Sequence, residues 1–148
     1  QALAELVARN VAIKAAVVSE DERETGVRAH LNFGHTFAHA IEAVVGYGEI
    51  LHGEAVALGM LAATTLAASA GICAPELRGE LEAVVASAGL PVRARLPDDA
   101  RLLEAMALDK KVAGARIRFV LPTRLGEVQL RDDLEPRAVG AAWASIRV

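Results

Sequence analysis

Residues 24–54 read ETGVRAHLNFGHTFAHAIEAVVGYGEILHGE, and this stretch decides how the rest of the chain is interpreted. It contains every histidine of the 148-residue chain, namely His30, His35, His39 and His52. Arg28, Asn32 and several carboxylates lie in the same stretch, whereas most of the remaining sequence is Ala, Leu and Val in helical patterns. The side chains capable of chemistry are therefore collected in one window, and we expect the functional site there.

The composition of the whole chain indicates which classes of protein it can belong to. Apolar residues make up 53% of the chain and aromatic residues only 3%, which predicts an aliphatic core of closely packed helices. The net charge of −3, without a basic run, predicts no nucleic-acid partner. A single cysteine, Cys73, cannot form an internal disulfide and favours a reducing, cytoplasmic compartment. Residues 55–70 are apolar but shorter than the roughly 20 residues that span a bilayer, so we expect a buried helix and no membrane association.

Hydrophobic periodicity predicts a mainly α, multi-helical domain with one small β-hairpin. Helices are expected over residues 2–18, 33–45, 52–70 and 98–108, between Pro75 and Gly89, and from Pro136 through Trp143 and Ile146. Asn32 is expected at or beside the N-cap of the second helix, and Gly46 and Gly48 are expected to end it. Gly71 is expected to end the third helix, and Asp98 is expected to cap the fifth. Alternation over residues 116–121, followed by Gly126, predicts the hairpin.

His35 and His39 are four residues apart, so they share one face of the second helix. They either line a metal site or pack in the core, and His52, which opens the next helix, could join them. Thermolysin-type zinc motifs carry Glu directly after the first His, where this chain has Thr36. Zinc held by two histidines usually needs a further protein ligand. Glu54 is the local candidate, but two residues along a helix from His52 it points elsewhere, so the third ligand stays open.

Several charged or polar residues have both a functional and a structural interpretation. Arg28 and Asn32 could bind an oxyanion, or serve as a solvated loop charge and a helix cap. Lys14 lies near the C-terminal end of the first helix, where a cation favours the helix dipole. Lys110 and Lys111 could be a solvated charge pair that ends a helix. No glycine-rich nucleotide loop is present, so nothing in the sequence of this chain would hold a dinucleotide.

Four segments together resemble the C-terminal helical domain of the 3-dehydroquinate synthases, the cyclases of the shikimate pathway. They are Lys14 followed by VVSEDERETGVR, then LNFGHTFAHAIE, then GYGEILHGEAVALGM, and later DKKVAGARIRFVLPTRLG. The resemblance implies that His35 and His52 ligate zinc or cobalt, and that His39 is a catalytic acid/base and substrate contact. It implies a second acid/base residue in Glu24, and it assigns the substrate's carboxylate, phosphate and hydroxyls to Lys14, Arg28, Asn32 and one of Lys110 and Lys111.

The same resemblance implies an activity and a larger protein. Family members convert 3-deoxy-D-arabino-heptulosonate 7-phosphate, a sugar-acid phosphate, into 3-dehydroquinate and phosphate, with NAD oxidising and then reducing the substrate. We expect an N-terminal α/β domain before residue 1 that binds most of the NAD and supplies a glutamate as third zinc ligand. The full-length enzyme is expected to be a cytoplasmic homodimer, and the isolated chain is expected to be inactive. Ala38 replaces a glycine of the family, and we expect the extra methyl to be tolerated beside His39.

Three other classes of protein also fit the sequence. Another sugar-phosphate cyclase, of the aminocyclitol type, would share most of the motifs, although Arg28 with Asn32 and His39 favours an acidic substrate. A non-catalytic helical module, for instance a dimerisation or regulatory domain retaining an old site, should have lost some of these residues. All of them are present, namely His35, His39, His52, Lys14 and Arg28. A metal-dependent alcohol dehydrogenase would share the two-domain plan and the histidine ligands.

Overall fold

The computed structural model describes residues 1–23, 26–46, 48–111 and 117–148, without the side chains of residues 108–111. Within them the chain divides into two compact units, Gln1–Asn32 and Phe33–Val148. None of the helices described is both long enough and apolar enough to cross a bilayer.

The first unit consists of helix α1 (Ala2–Glu20) and a 3-10 helix (Val27–Asn32). Because α1 runs two residues beyond its expected end and its last turn carries no basic side chain, the dipole interpretation of Lys14 is wrong. The carboxylate of Asp21 accepts hydrogen bonds from the backbone N–H groups of Gly26 (2.7 Å) and Arg28 (3.1 Å). One side chain thus holds the start of the 3-10 helix in place.

The second unit confirms the mainly helical fold with one antiparallel hairpin. In chain order its elements are α2 (His35–Val45), α3 (His52–Ser69), α4 (Glu76–Ser87), α5 (Asp99–Lys111), β1 (Phe119–Arg124), β2 (Glu127–Arg131) and α6 (Pro136–Ala144). Phe119 pairs with Arg131 at the open end of the hairpin. Asp98 caps α5 as expected, since its Oδ1 accepts the Arg101 N–H at 3.0 Å.

Several predicted boundaries differ from the structure. The second helix begins at His35 and is capped by Gly34, whereas Asn32 lies in the 3-10 helix, so its predicted cap role is wrong. Helix α5 extends to Lys111 rather than residue 108. Strand β1 begins at Phe119, and residue 116, its predicted start, lies outside the described residues. Helix α6 ends at Ala144, so Ile146 is not helical.

The core centres on α3, whose Leu58, Leu61 and Leu66 are fully buried. It is largely Ala and Leu, as expected, but an aromatic cluster lies within it and corrects the prediction of a purely aliphatic core. The ring of Phe37 lies 4.8 Å from that of Trp143 and 5.5 Å from that of Phe119, between centroids. Aromatic pairs in this geometry stabilise a core beyond the area they bury.

Helices α2 and α3 are in direct backbone contact where their glycines meet. A Cβ on Gly59 would lie far inside the van der Waals distance from the Gly34 carbonyl oxygen. A Cβ on Gly34 would lie 2.7 Å from the Met60 backbone nitrogen, and φ at Gly34 is +83°. Ala38 is fully buried at the same crossing, so its methyl group is accommodated in the core. This contact fixes the first turn of α2 against α3, and both helices carry histidines.

Candidate metal centre

Helices α2 and α3 bring three histidine rings together. His35 is the first residue of α2, His39 lies one turn later, and His52 is the first residue of α3. The ring centroid of His35 lies 5.7 Å from that of His39 and 5.5 Å from that of His52. The histidine that opens α3 therefore returns to the pair on α2.

Two of these rings have an oxygen atom next to Nδ1. The His35 Nδ1 lies 3.3 Å from the carbonyl oxygen of Phe33, and the His52 Nδ1 lies 2.9 Å from Oε1 of Glu42. A proton on each Nδ1 donates to these oxygens and leaves a lone pair on each Nε2. Metal-binding histidines usually have such an outer partner, which orients the ring. The donor set therefore fits zinc or cobalt, both of which accept imidazole nitrogen.

The surroundings of His35 favour its neutral form. Burial has the largest effect and lowers the pKa of His35. The Phe33 carbonyl opposes it, but the nearby His39 and His52 also lower the pKa, and the overall shift is downward. A histidine must be neutral to donate a lone pair to a metal. The environment thus favours the form of His35 that a metal ligand requires.

The third ligand is not supplied by the local candidate. Glu54 Oε2 accepts a hydrogen bond from the Leu51 N–H at 2.9 Å and closes the first turn of α3, so Glu54 serves as a cap. Across residues 1–23, 26–46, 48–111 and 117–148, no group of three His, Cys, Asp or Glu side chains is arranged to hold an ion. The described part of the chain offers a partial ligand set.

The other predicted site residues lie on several elements. Lys14 is exposed on α1, and Arg28 and Asn32 lie in the 3-10 helix of the first unit. Arg28 also donates through Nη1 to the Glu22 carbonyl oxygen at 2.7 Å. Glu24 lies outside the described residues, as do the side chains of Lys110 and Lys111, whose backbone ends α5. The roles of all these residues remain predictions.

Sequence reasoning missed two residues of this region. Glu42, beside His52, lies seven positions after His35 and three after His39, a spacing that places all three on one helix face. That spacing could have identified it. Thr36 donates through Oγ1 to the Arg118 carbonyl oxygen at 2.9 Å, 82 positions later in the chain. No local pattern signals such a bond.

A family model, for the C-terminal domain of 3-dehydroquinate synthase, matches residues 1–112, which include all three clustered histidines. The chain belongs to this family. A 3-dehydroquinate synthase of Rhodopirellula baltica is 50% identical over 135 residues, and one of Synechococcus sp. is 48% identical over 132 residues. These stretches cover 90% and 87% of this chain but only 36% and 35% of the relatives. The chain thus spans about a third of the length of the 3-dehydroquinate synthases it matches.

Solved structures share the fold. A 2-epi-5-epi-valiolone synthase from Streptomyces hygroscopicus subsp. jinggangensis 5008, with NAD+ and Zn2+ bound, matches with a TM-score of 0.82 at 25% identity. The match covers 96% of this chain and 39% of that protein. A 2-deoxy-scyllo-inosose synthase complexed with carbaglucose-6-phosphate, NAD+ and Co2+ matches with a TM-score of 0.71 at 24% identity, over 82% of this chain and 35% of that one. The second likeness concerns the fold alone.

Proposed function

We propose that this chain is the metal- and substrate-binding domain of an enzyme that converts 3-deoxy-D-arabino-heptulosonate 7-phosphate into 3-dehydroquinate and phosphate. The observation that carries the proposal is the meeting of His35, His39 and His52 within the segment matched by the family. The names of the relatives at about half identity support it. The reaction class is that of an NAD- and metal-dependent carbon–oxygen lyase.

His35 and His52 would hold zinc or cobalt through Nε2, with a carboxylate from outside the described residues completing the set. When bound, the metal acts as a Lewis acid on a substrate hydroxyl, and NAD takes up and returns a hydride. An N-terminal domain preceding this chain would bind most of the NAD. The solved 2-epi-5-epi-valiolone synthase, with both NAD+ and Zn2+, supports this cofactor pair.

The remaining roles belong to side chains of this chain. His39 is exposed beside His35, so its imidazole is available to exchange a proton with a substrate as general acid or base. Glu24 would be the second acid/base group. Cationic and amide donors on Lys14, Arg28, Asn32 and one of Lys110 and Lys111 would bind the substrate's carboxylate, phosphate and hydroxyls. Holding a flexible intermediate in one orientation is their main contribution to the rate.

The biological setting follows from the same proposal. The partner is a small sugar-acid phosphate, with no nucleic acid and no membrane involved. The full-length enzyme would act as a homodimer in the cytoplasm, and the single Cys73 supports a reducing compartment.

The test is an assay of the full-length enzyme with NAD and zinc. We expect release of phosphate from 3-deoxy-D-arabino-heptulosonate 7-phosphate without net formation of NADH, because the NAD is recycled. His35→Ala and His52→Ala should each lose both bound zinc and activity. If both variants retain zinc and activity, the histidines do not form the centre; net NADH production would instead indicate a dehydrogenase.

A second candidate is a sugar-phosphate cyclase of the aminocyclitol type. The likeness to 2-epi-5-epi-valiolone synthase over 96% of this chain favours it. Sedoheptulose 7-phosphate, offered in the same assay, separates the two. Turnover of that sugar phosphate alone would replace the first proposal with the second.

A further inference from the structure

Glu42 lies between the two helices that carry the histidines. It is on the same face of α2 as His35 and His39, and its Oε1 reaches the first residue of α3, where it lies 2.9 Å from His52 Nδ1. We propose that Glu42 is a positioning residue, which sets the orientation and tautomer of His52 for metal binding. This inference rests on the proposed function, because it concerns the same metal centre.

The His52 ring needs such a restraint. Its side chain is 60% exposed, so packing limits its rotation little, whereas the Glu42 side chain is only 26% exposed. A neutral imidazole exists in two tautomers, and a carboxylate at Nδ1 selects the one that carries its proton on that atom. The lone pair then lies on Nε2, directed away from Glu42. The hydrogen bond therefore fixes both the ring and the atom that would bind metal.

Glu42 acts through His52 rather than as a ligand. Among the side chains that the structure describes, no three His, Cys, Asp or Glu groups are placed to share one ion, although Glu42, His35 and His52 are neighbours. The carboxylate is engaged with Nδ1, on the opposite side of the ring from Nε2. Its charge also makes the imidazole a better donor, since a carboxylate partner raises the basicity of a ligating histidine.

The experiment measures zinc affinity in the full-length enzyme. Metal-free protein is titrated with zinc against a chromogenic chelator for wild type, Glu42→Ala, Glu42→Gln and His52→Ala. The matched control is Glu80→Ala, which removes an exposed carboxylate from α4. Loss of an outer-shell partner typically weakens metal binding by about 10–100-fold, so we expect that change for Glu42→Ala. Glu42→Gln keeps an acceptor oxygen and should lose less, and Glu80→Ala should match wild type.

Two further readouts separate positioning from other roles. At saturating cobalt, the absorption spectrum of Glu42→Ala should keep the wild-type shape, because the ligand set is unchanged; an altered coordination spectrum would make Glu42 a ligand and overturn the inference. Urea unfolding of the metal-free proteins reports any structural role. A less stable Glu42→Ala with unchanged zinc affinity would also overturn it.

The outcomes distinguish this inference from the proposed function. If His52→Ala loses zinc while Glu42→Ala binds it like wild type, only the positioning role fails. If His52→Ala itself binds zinc as wild type does, the proposed metal centre fails, and the role of Glu42 fails with it.

Discussion

At the scale of single residues, the fold changes how readily His35 is protonated. Burial lowers the pKa of this histidine, and two neighbouring imidazoles lower it further. The unfolded chain gives the same side chain an ordinary pKa of about 6.5. Folding therefore works against protonation at this position.

The stability of the metal-free chain should consequently fall as the pH drops below about 6.5. In that range His35 takes up a proton in the unfolded state but not in the folded state, which favours unfolding. The decrease in stability is complete once the pH is below the pKa of His35 in the folded state. Urea unfolding between pH 8 and pH 5, in the presence of chelator, measures this dependence. In His35→Gln the free energy of unfolding should change less steeply with pH than in wild type. The control is His30→Gln, which removes an exposed histidine from the 3-10 helix and should keep the wild-type slope. Parallel curves for wild type and His35→Gln would contradict the expectation.

The crossing of α2 and α3 is the feature that matters most at the scale of elements. Gly59 meets the backbone of Gly34 at this point, and the adjacent turn of α2 begins with His35. The space between the two helices is filled by backbone on both sides, so a side chain has no rotamer that avoids the contact.

Gly59→Ala should destabilise the chain, although alanine is the better helix former. The propensity gain is about 1 kcal/mol, while overpacking a rigid contact costs about 1–3 kcal/mol or more. The matched control is Gly79→Ala in α4, where an added Cβ meets nothing within 4 Å and the propensity gain should remain. Urea unfolding should therefore give shifts of opposite sign for the two variants. Stabilisation by both would mean that the helices are not in backbone contact.

Signals local in sequence predicted several helix ends, and non-local contacts explain two of the failures. Gly46 and Gly71 follow their helices as expected, because a glycine after a helix is favoured whatever packs nearby. The start of α2 depends instead on Val56 and Met60 closing on Gly34, which no pattern around Asn32 reveals. Ile146 leaves the last helix because its carbonyl accepts the Ala94 N–H at 2.9 Å.

The candidate site also has features that local spacing predicts and features that it does not. The window of histidines and the helix face shared by His35 and His39 could be predicted from spacing alone. The sequence offered the approach of His52 only as a possibility, since it depends on how α3 packs against α2. The roles carried by Glu24, Lys110 and Lys111 depend on the family resemblance, and their side chains lie outside the described residues.

At the scale of the whole molecule, burial is unevenly divided between the two units. The second unit contains the core around α3, whereas α1 has no buried residue and exposes Leu3, Leu6 and Val11. A helix that buries no residue fully gains little stability from propensity alone. The stability of the chain therefore resides mainly in residues 33–148.

The isolated chain should bind zinc weakly and NAD not at all. Two histidines supply only part of a zinc ligand set, and water must replace the missing protein ligands. The sequence offers no phosphate-binding glycine loop for a dinucleotide. Calorimetric titration of zinc and NAD into the 148-residue chain checks both expectations. Submicromolar affinity for zinc, or measurable binding of NAD, would show a more self-contained site.

The α2–α3 pairing also bears on the order in which the chain acquires its structure. His35 and His52 lie on successive helices joined by a short connection, and closing a short loop is fast and costs little entropy. The hydrogen bond from Thr36 to the Arg118 carbonyl oxygen can form only after Arg118 has been synthesised, 82 residues later. During synthesis, the two imidazoles should therefore meet before the hairpin that braces α2 has left the ribosome. The histidine pair proposed to hold the metal is thus in place before the domain is complete.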